Sequence, residues 1–425
     1  MGKAMSANQT ATMSPARPGG NLKAQLRRAE RLRKLKAIGL VAPLALFLIV
    51  VFVVPIGNML WRSVDNTELD SVMPLTAEGL RHWDGSGLPD EATLAAFAAE
   101  LRDSRQGGGL GRISRRLNYE DSRYRSLLMN TLRGLPAVDA VGPDTDWVAT
   151  LTEIDPAWGE TETWLGIQRT APTTTDRYLL ASLDLERSAD GEIQRVAERD
   201  RLYLSVFQRT LVIAGGVTLI CLALGFPLAY LLATLPAKTS NMLMILVLLP
   251  FWTSLLVRTA AWIILLQSNG LVNQSLLFTG LIDSPLQLVF NRIGVFFAMV
   301  HILLPFMVLP LYSVMKGISP SYQRAAVSLG AHPFAAFWQV YVPQTISGVA
   351  AGTILVFIMA LGYYITPALV GGPADQMVSY YVAYYTNTTN NWGMAAALGS
   401  LLLVVTLLLY LVYHRLVNRK QLIRS

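Results

Sequence analysis

The residue pattern with the clearest chemical meaning lies in residues 319–343, and its chemistry is docking rather than catalysis. The segment opens with a Ser-Pro pair, which is typical of the cap and first position of a helix. Gly330 stands where that helix must end, at a position that needs a free φ. Ala325 and Ala326 leave a small face that another protein can approach closely. The segment therefore predicts two short helices separated by a break.

The second of these helices carries an apolar stripe of Phe334, Phe337 and Trp338, and Pro343 is placed to open the next long apolar helix. Two interpretations follow from the residues alone. The segment either docks into another protein or rests as a surface helix on the bilayer interface.

Arg258 is the one clear ionisable residue within an apolar run, and such residues are functional candidates by default. It either faces a pore or gate, or extends as an arginine to the membrane interface. Aromatic rings nearby can hold an ammonium group by cation–π contacts of about 0.5–2 kcal/mol each, although an interfacial aromatic belt explains them equally well. The candidate translocation path consists of Arg258, Trp252, Tyr363, Tyr364 and Trp392.

Patterns for catalysis or metal binding do not stand out in the sequence. No Gly-x-x-x-x-Gly-Lys-Ser/Thr occurs, so ATP cannot be bound here by a P-loop, and the single cysteine, Cys221, excludes a disulfide framework. The histidines lack metal spacing and are expected to be structural: His82, His301, His332 and His414. We therefore expect neither a catalytic residue, a metal nor a cofactor in this chain.

The elements that position these residues are apolar helices. The chain has 425 residues, of which 52% are hydrophobic and 15% charged, with a mean hydropathy of +0.40. A bilayer core of about 30 Å needs about 20 apolar residues per helix. Six stretches meet this requirement: Ala37–Leu60, Thr210–Leu235, Asn241–Gln267, Ile293–Met315, Thr345–Gly372 and Gly393–Leu416.

Charge is distributed unevenly along the chain, and this predicts orientation. Residues 1–36 carry nine Lys and Arg against one acid, whereas residues 61–209 carry seventeen Arg against twenty-five acids. The acidic segment excludes the basic patch that nucleic acid requires. With the amino terminus inside, sixteen basic residues lie on the cytoplasmic side and only Arg292 lies in a short outer loop. We therefore expect an inner-membrane protein with both termini in the cytoplasm and with the first span as an uncleaved anchor.

Residues 61–209 are long enough for a small domain outside the membrane. Thr93–Gln106 and Asn118–Leu135 have helical periodicity, whereas Trp147–Ile154 and Arg177–Glu186 alternate as strands do. Asp-Gly within residues 188–191 predicts a hairpin turn. We therefore expect an α+β insert between the first and second spans.

The docking segment resembles the EAA loop of ABC importer permeases, through Ala325-Ala326, Leu329-Gly330-Ala331, Phe337 and Val342-Pro343. One departure is that Arg324 stands where the family has Glu. The resemblance implies that this loop docks into a cleft of an ATPase subunit and passes its closure to the membrane helices. The implied coupling residues are Arg324, Ala325, Ala326, Leu329, Gly330, Ala331, Phe337 and Pro343.

Residues 250–262, 269–273 and 366–372 also look like spermidine/putrescine-type permeases, and this resemblance covers residues 35–60 and 205–420. It implies an all-α polytopic membrane protein with six transmembrane helices of the type I ABC importer permease kind. The expected organisation is a cytoplasmic basic tail 1–36, transmembrane helix 37–60, extracytoplasmic insert 61–209, permease core 210–416 with coupling loop 316–344, and cytoplasmic tail 417–425.

The same resemblance implies partners and cargo. Two ATPase subunits would bind ATP and Mg²⁺, a second permease subunit would complete a heterodimer, and an extracytoplasmic binding protein would deliver a small solute. That solute would be a cationic polyamine or an opine-like compound, although no carboxylate lies within a span to balance a polycation.

Two other functions remain open from the residues. A secondary transporter would need coupling ionisable groups within the helices and often shows inverted repeats. A polytopic sensor with an extracytoplasmic ligand domain would need a cytoplasmic output domain, and the last ten or so residues are expected to be too few.

Arg324→Glu restores the residue that the family usually has, so we expect the complex to assemble and transport within about two-fold of wild type, because one exposed charge contributes little. Co-purification of the ATPase subunit and uptake measurements check this. Complete loss of assembly would show that this ATPase has adapted to the arginine.

Overall fold

The structure is a computed structural model that describes residues 20–105, 108–137, 142, 145–188 and 191–422. Internal contacts divide the chain into two compact units after Met59. The first unit contains α1 (Gly20–Leu48), a π-helical turn (Ile49–Val53) and the start of α2 (Val54–Arg62). Together they form one apolar helix over Arg27–Arg62, which confirms the first predicted span.

The second unit begins with the insert, whose described residues are mostly helical. Its only described strands are β1 (Leu185–Arg187) and β2 (Ile193–Arg195), which pair antiparallel as the predicted hairpin; residues 189–190 of its turn lie outside the described residues. The helices are α3 (Glu68–Val72), α4 (Pro74–His82), α5 (Glu91–Asp103), α6 (Gly109–Asn118), α7 (Tyr124–Gly134), α8 (Trp147–Ile154), α9 (Thr161–Gln168) and α10 (Arg177–Ala181), with 3₁₀ turns at Pro156–Gly159 and Glu198–Asp200.

The prediction of an α+β insert was wrong in the first of its two expected strands. Trp147–Ile154 is a helix, because Asp146 caps it by accepting the N–H of Ala149 at 2.8 Å. Trp147 and Leu151, four residues apart, are buried on one face of that helix. The expected strand Arg177–Glu186 is helical in its first half, and only its end joins the hairpin.

Aromatic packing forms the centre of the insert. The ring of Phe97 lies 4.8 Å from that of Trp158 and 5.2 Å from that of Trp164, and all three side chains are fully buried or nearly so. The indole N–H of Trp158 donates to Thr131 Oγ1 at 2.7 Å, so its polar atom is satisfied. The insert therefore has a hydrophobic core of its own.

A buried ionic network closes the base of the insert. Arg116 and Glu120 pair at 2.8 Å with side chains 2% and 4% exposed, and Arg177 also contacts Glu120. Arg116 Nε donates to Asn66 Oδ1 at 2.7 Å, and Asn66 Nδ2 donates to the Pro172 carbonyl at 2.7 Å. Desolvation offsets the Coulombic gain in such buried pairs. We therefore infer that the network mainly positions Asn66, near the start of the insert, relative to Pro172 in its later part.

The membrane part of the second unit is built from twelve helices in the described range. They are α11 (Tyr203–Thr234), α12 (Ala237–Leu248), α13 (Leu255–Leu266), α14 (Leu271–Phe278), α15 (Arg292–Lys316), α16 (Ser321–Ser328), α17 (Pro333–Ala336), α18 (Val342–Gln344), α19 (Ile346–Leu361), α20 (Ile365–Val370), α21 (Val378–Asn387) and α22 (Trp392–Leu422). Short non-α turns occupy Leu249–Trp252, Phe337–Tyr341 and Pro373–Asp375.

Three of the predicted spans after the first are confirmed as α11, α15 and α22. The prediction that Asn241–Gln267 is one helix was wrong. The helix is interrupted around Pro250, because the proline nitrogen carries no hydrogen to donate. The predicted span Thr345–Gly372 was also too long, because its helix ends at Leu361 before a Gly-Tyr-Tyr sequence.

Five helices in the described chain are long and apolar enough to cross a membrane: the four named above and Leu255–Phe278, which comprises α13 and α14. A sixth span results only if Pro333–Gln344 and Ile346–Leu361, which meet at 61°, count together. The structure is thus helical as predicted, while the count of six transmembrane helices is not confirmed.

Helices α11, α15 and α19 pack together as the centre of the membrane part. Small residues allow their close approach: a Cβ atom at Gly352 would stand 2.8 Å from Met307 Sδ, and one at Gly348 would stand 3.1 Å from the Pro310 carbonyl. Gly348 and Gly352 therefore serve helix contact within the chain.

The insert rests on the start of α22. The ring of Tyr178 covers Gly393, where a Cβ atom would stand 2.4 Å from the ring. Tyr119 Oη donates to the Thr389 carbonyl at 3.4 Å. Burial raises the pKa of Tyr178 to about 12, so this ring stays neutral at physiological pH.

Gly393→Ala is expected to lower the stability of the folded protein by about 1–3 kcal/mol, because the added methyl group overpacks a buried ring. Thermal unfolding of the detergent-solubilised protein measures this. Gly215→Ala is the matched control, since a Cβ atom there meets nothing within 4 Å and Ala favours the helix. Equal melting temperatures for Gly393→Ala and wild type would contradict the packing described.

Candidate functional site

The coupling loop consists of two short helices joined by a break, as the sequence predicts. The first, α16, follows Pro320, and Ser319 Oγ accepts the N–H of Ser321 at 3.3 Å. At the break Gly330 has φ +93°, a conformation that side chains rarely adopt. The N–H of Ala331 donates to the Ala326 carbonyl at 3.0 Å and closes the helix end.

One face of this loop is apolar and exposed. Leu329 is 89% exposed, Phe334 67%, Tyr322 55% and Trp338 54%. Arg324 is also exposed and has no ion-pair partner among the residues that the structure describes. We call these five residues the coupling knob. Several large apolar side chains exposed in one short loop are typical of a protein interaction site.

The opposite face of the loop is fixed to the membrane helices. Phe337 packs against Tyr230 of α11 with ring centroids 5.3 Å apart, and it stacks on Tyr341 at 5.6 Å. Tyr230 and Tyr341 are themselves in edge contact at 5.2 Å. Phe337 therefore belongs to the anchor of the loop rather than to the exposed stripe in which the sequence placed it.

Pro343 does not open the membrane helix directly. It lies in α18, after the π-helical turn Phe337–Tyr341, and the long helix starts only at Ile346. Proline has no backbone N–H to donate to the preceding turn, so regular α-helical hydrogen bonding is interrupted here. The segments Pro333–Gln344 and Ile346–Leu361 meet at 61°. The coupling loop is thereby held at a sharp angle to α19.

Arg258 fastens the break between α12 and α13. Its Nη2 donates to the carbonyls of Pro250 and Thr253, the second at 3.0 Å, and its Nε donates to Thr253 Oγ1 at 3.3 Å. The guanidinium therefore adds donors to the carbonyls at this break, one of which, that of Pro250, also accepts the N–H of Thr253 at 3.3 Å. The place of Arg258 in the translocation path stays a prediction. Trp252 lies beside the break and is 74% exposed.

Two tyrosines of the candidate translocation path, Tyr363 and Tyr364, lie at the break between α19 and α20. The ring of Tyr364 lies 6.4 Å from that of Tyr380, which stacks on Tyr384 at 6.5 Å. Trp392 instead lies under the guanidinium of Arg62, 5.5 Å from its ring centroid. Tyr364 therefore lies in a row with two further tyrosines, whereas Trp392 contacts Arg62.

The sequence reasoning missed the ion pair between Arg292 and Asp375. Arg292 Nε donates to Asp375 Oδ1 at 3.0 Å, and Asp375 Oδ2 accepts the N–H of Gly372 at 3.3 Å. The pair ties the loop after α20 to the start of α15. The sequence feature that could have revealed this pair is that Arg292 and Asp375 are among the few charged residues after residue 209.

Comparison with known proteins identifies the family of this chain. Residues 225–421 match the family described as binding-protein-dependent transport system inner membrane component. The spermidine/putrescine transport system permease protein PotB of Escherichia coli (strain K12) is 37% identical over 224 residues, which cover 52% of this chain and 82% of that protein. PotB of Haemophilus influenzae is 35% identical over 222 residues and is covered to 78%. A crystallised bacterial alginate ABC transporter superimposes with a TM-score of 0.44 at 18% identity, covering 51% of this chain and 78% of the transporter chain.

The chain therefore belongs to the binding-protein-dependent transport system inner membrane component family. It is a multi-pass inner-membrane permease component of an ABC importer and not an enzyme, and ATP hydrolysis belongs to a separate subunit. Membership implies a binding protein and ATPase subunits as partners. This confirms the permease prediction over the secondary transporter and the sensor.

Gly330→Asp is expected to reduce ATP-driven transport by about ten-fold or more, because an unpaired charge in a docked break costs at least about 1.4 kcal/mol. Uptake into proteoliposomes measures this. Gly330→Asn is the matched control, since it has the same size, carries no charge and tolerates a left-handed backbone. Normal ATP-driven uptake by Gly330→Asp would contradict a docking role for this break.

Proposed function

We propose that this permease imports a small organic polycation of the spermidine/putrescine class, with opine-like cations as the second candidate. The proposal on substrate is supported by the names of the PotB relatives, which align with this chain over its membrane part. Specificity would reside largely in the binding protein, so the permease needs only weak contacts with its cargo. The row Tyr364, Tyr380 and Tyr384, in which the first and last rings are exposed, offers such contacts to ammonium groups.

The coupling knob is the surface on which an ATPase subunit docks, in this proposal. The observation that carries it is the two-sided construction of the loop: Leu329 is almost fully exposed, whereas Phe337 is held by Tyr230 and Tyr341. A partner that displaces the exposed side therefore moves a segment rooted in α11 and α19. Closure of the ATPases, which hold ATP and Mg²⁺, would shift the facing of the pore in this way.

The proposed assembly contains a second permease subunit as a heterodimer partner and two ATPases. Both termini and the coupling loop 316–344 lie in the cytoplasm, while the insert 61–209 lies on the opposite side with the binding protein. The excess of Lys and Arg in the cytoplasmic segments supports this orientation.

The test is ATP-dependent uptake of radiolabelled putrescine, spermidine and an opine, each measured separately with the reconstituted complex. We expect uptake of a polyamine that requires both ATP and the binding protein. Uptake of the opine but of neither polyamine would assign the second candidate, and uptake of none of the three would contradict the proposed substrates.

Leu329→Asp tests the docking surface in the same complex. We expect the amount of co-purified ATPase to fall by about ten-fold, because a charge replaces an apolar contact at an interface centre. Leu75→Asp is the matched control, since Leu75 is 65% exposed on the insert, away from the loop. Full ATPase recovery with Leu329→Asp would contradict the proposed docking surface.

A further inference from the structure

The insert ends in a buried carboxylate that caps a membrane helix. Asp184 is 4% exposed and has φ +55°, an unusual conformation for a residue other than glycine. Its Oδ1 accepts the N–H groups of Leu202 at 3.0 Å and Tyr203 at 2.9 Å, and its Oδ2 accepts that of Leu204 at 2.9 Å. A negative charge at this end of α11 also complements the helix dipole.

This cap comes from a distant part of the chain. The residue directly before α11, Leu202, has no side chain that could cap it. Asp184 lies immediately before β1, and its own carbonyl accepts the N–H of Val196, beyond β2, at 3.1 Å. One residue therefore bonds both parts: the Asp184 backbone carbonyl bonds the end of the hairpin, and its carboxylate bonds the first turn of α11.

Apolar contacts reinforce the same junction. Tyr178 of the insert lies in one buried cluster with Val206 and Phe207 of α11 and Met394 of α22. The same buried cluster also contains Val378 of α21. The insert is thus attached to three helices of the membrane part at one end.

The other end of α11 reaches the coupling loop. This helix has 32 residues and so extends about 48 Å at 1.5 Å per residue. Phe226 and Tyr230, near its far end, lie 6.5 Å and 5.3 Å from the ring of Phe337. One helix therefore contacts Asp184 at its beginning and the anchor of the coupling knob near its end.

We propose that Asp184 is a positioning residue through which the insert regulates the ATP-driven cycle: it holds the first turn of α11, and α11 links that turn to the coupling loop. The inference rests on the proposed function of the coupling knob and adds a regulatory role for the insert. Because coupling between two sites is reciprocal, a change at the insert alters the response of the ATPases, and ATPase closure alters the insert.

The experiment uses the complete importer in proteoliposomes, with wild type, Asp184→Ala, Asp184→Asn and Asp200→Ala. Asp200 is the matched control, because it lies in the same connection, has a side chain 56% exposed and pairs with its neighbour Arg199. ATP hydrolysis is measured with and without the binding protein, and the readout is the ratio of the two rates. Complex yield and melting temperature are recorded for each variant.

We expect Asp184→Ala to lower this ratio by about five-fold or more, with Asp200→Ala at the wild-type value. Asp184→Asn should fall between them, since its amide oxygen still accepts part of the bonding. A merely structural role would lower yield and melting temperature and leave the ratio unchanged, and that result would overturn the inference.

If Asp184→Ala does not assemble, Asp184→Asn decides: a reduced ratio supports the inference, and a wild-type ratio overturns it. A wild-type complex without any stimulation by the binding protein would contradict the proposed function, and the inference with it. Equal ratios for Asp184→Ala and Asp200→Ala in a stimulated, stable complex would contradict the inference alone.

Discussion

The contact of Phe337 with Tyr230 and Tyr341 is the interaction on which the account of this permease depends. Without it, the coupling loop would be connected to α11 mainly through the flanking helices α15 and α19. With it, the exposed Leu329 and the packed Phe337 belong to one short segment. In the proposed function, a partner that docks on Leu329 therefore moves α11 as well.

Backbone hydrogen bonding explains where the membrane part departs from simple helices. An apolar environment supplies no water to unpaired carbonyl and N–H groups, so each break needs a substitute partner. Arg258 supplies donors at the break after Pro250, and Asn273 bonds the Gln267 carbonyl and both backbone groups of Leu286 around α14. Asp184 does the same at the start of α11 with acceptors. Polar residues that look isolated in the sequence thus supply the hydrogen bonds that irregular backbone needs.

Sequence reasoning captured the elements whose signals are local. Long apolar runs predicted α11, α15 and α22, and the left-handed conformation of Gly330 followed from its position between two helical patterns. It missed the break at Pro250 because hydropathy averages over a proline, and it misread residues 147–154 because a short alternating run also fits a helix capped by Asp146. Contacts between distant residues, such as Arg292 with Asp375, leave no pattern in a single sequence.

The most direct test of the central claim is photo-crosslinking from position 329 in the assembled importer. Leu329 would be replaced by benzoylphenylalanine, and the adducts formed on irradiation would be identified by mass spectrometry. The account predicts a covalent adduct with the ATPase subunit, whose yield changes when ATP is bound. Adducts with lipid or with the binding protein alone, in a complex that retains its ATPases, would contradict it.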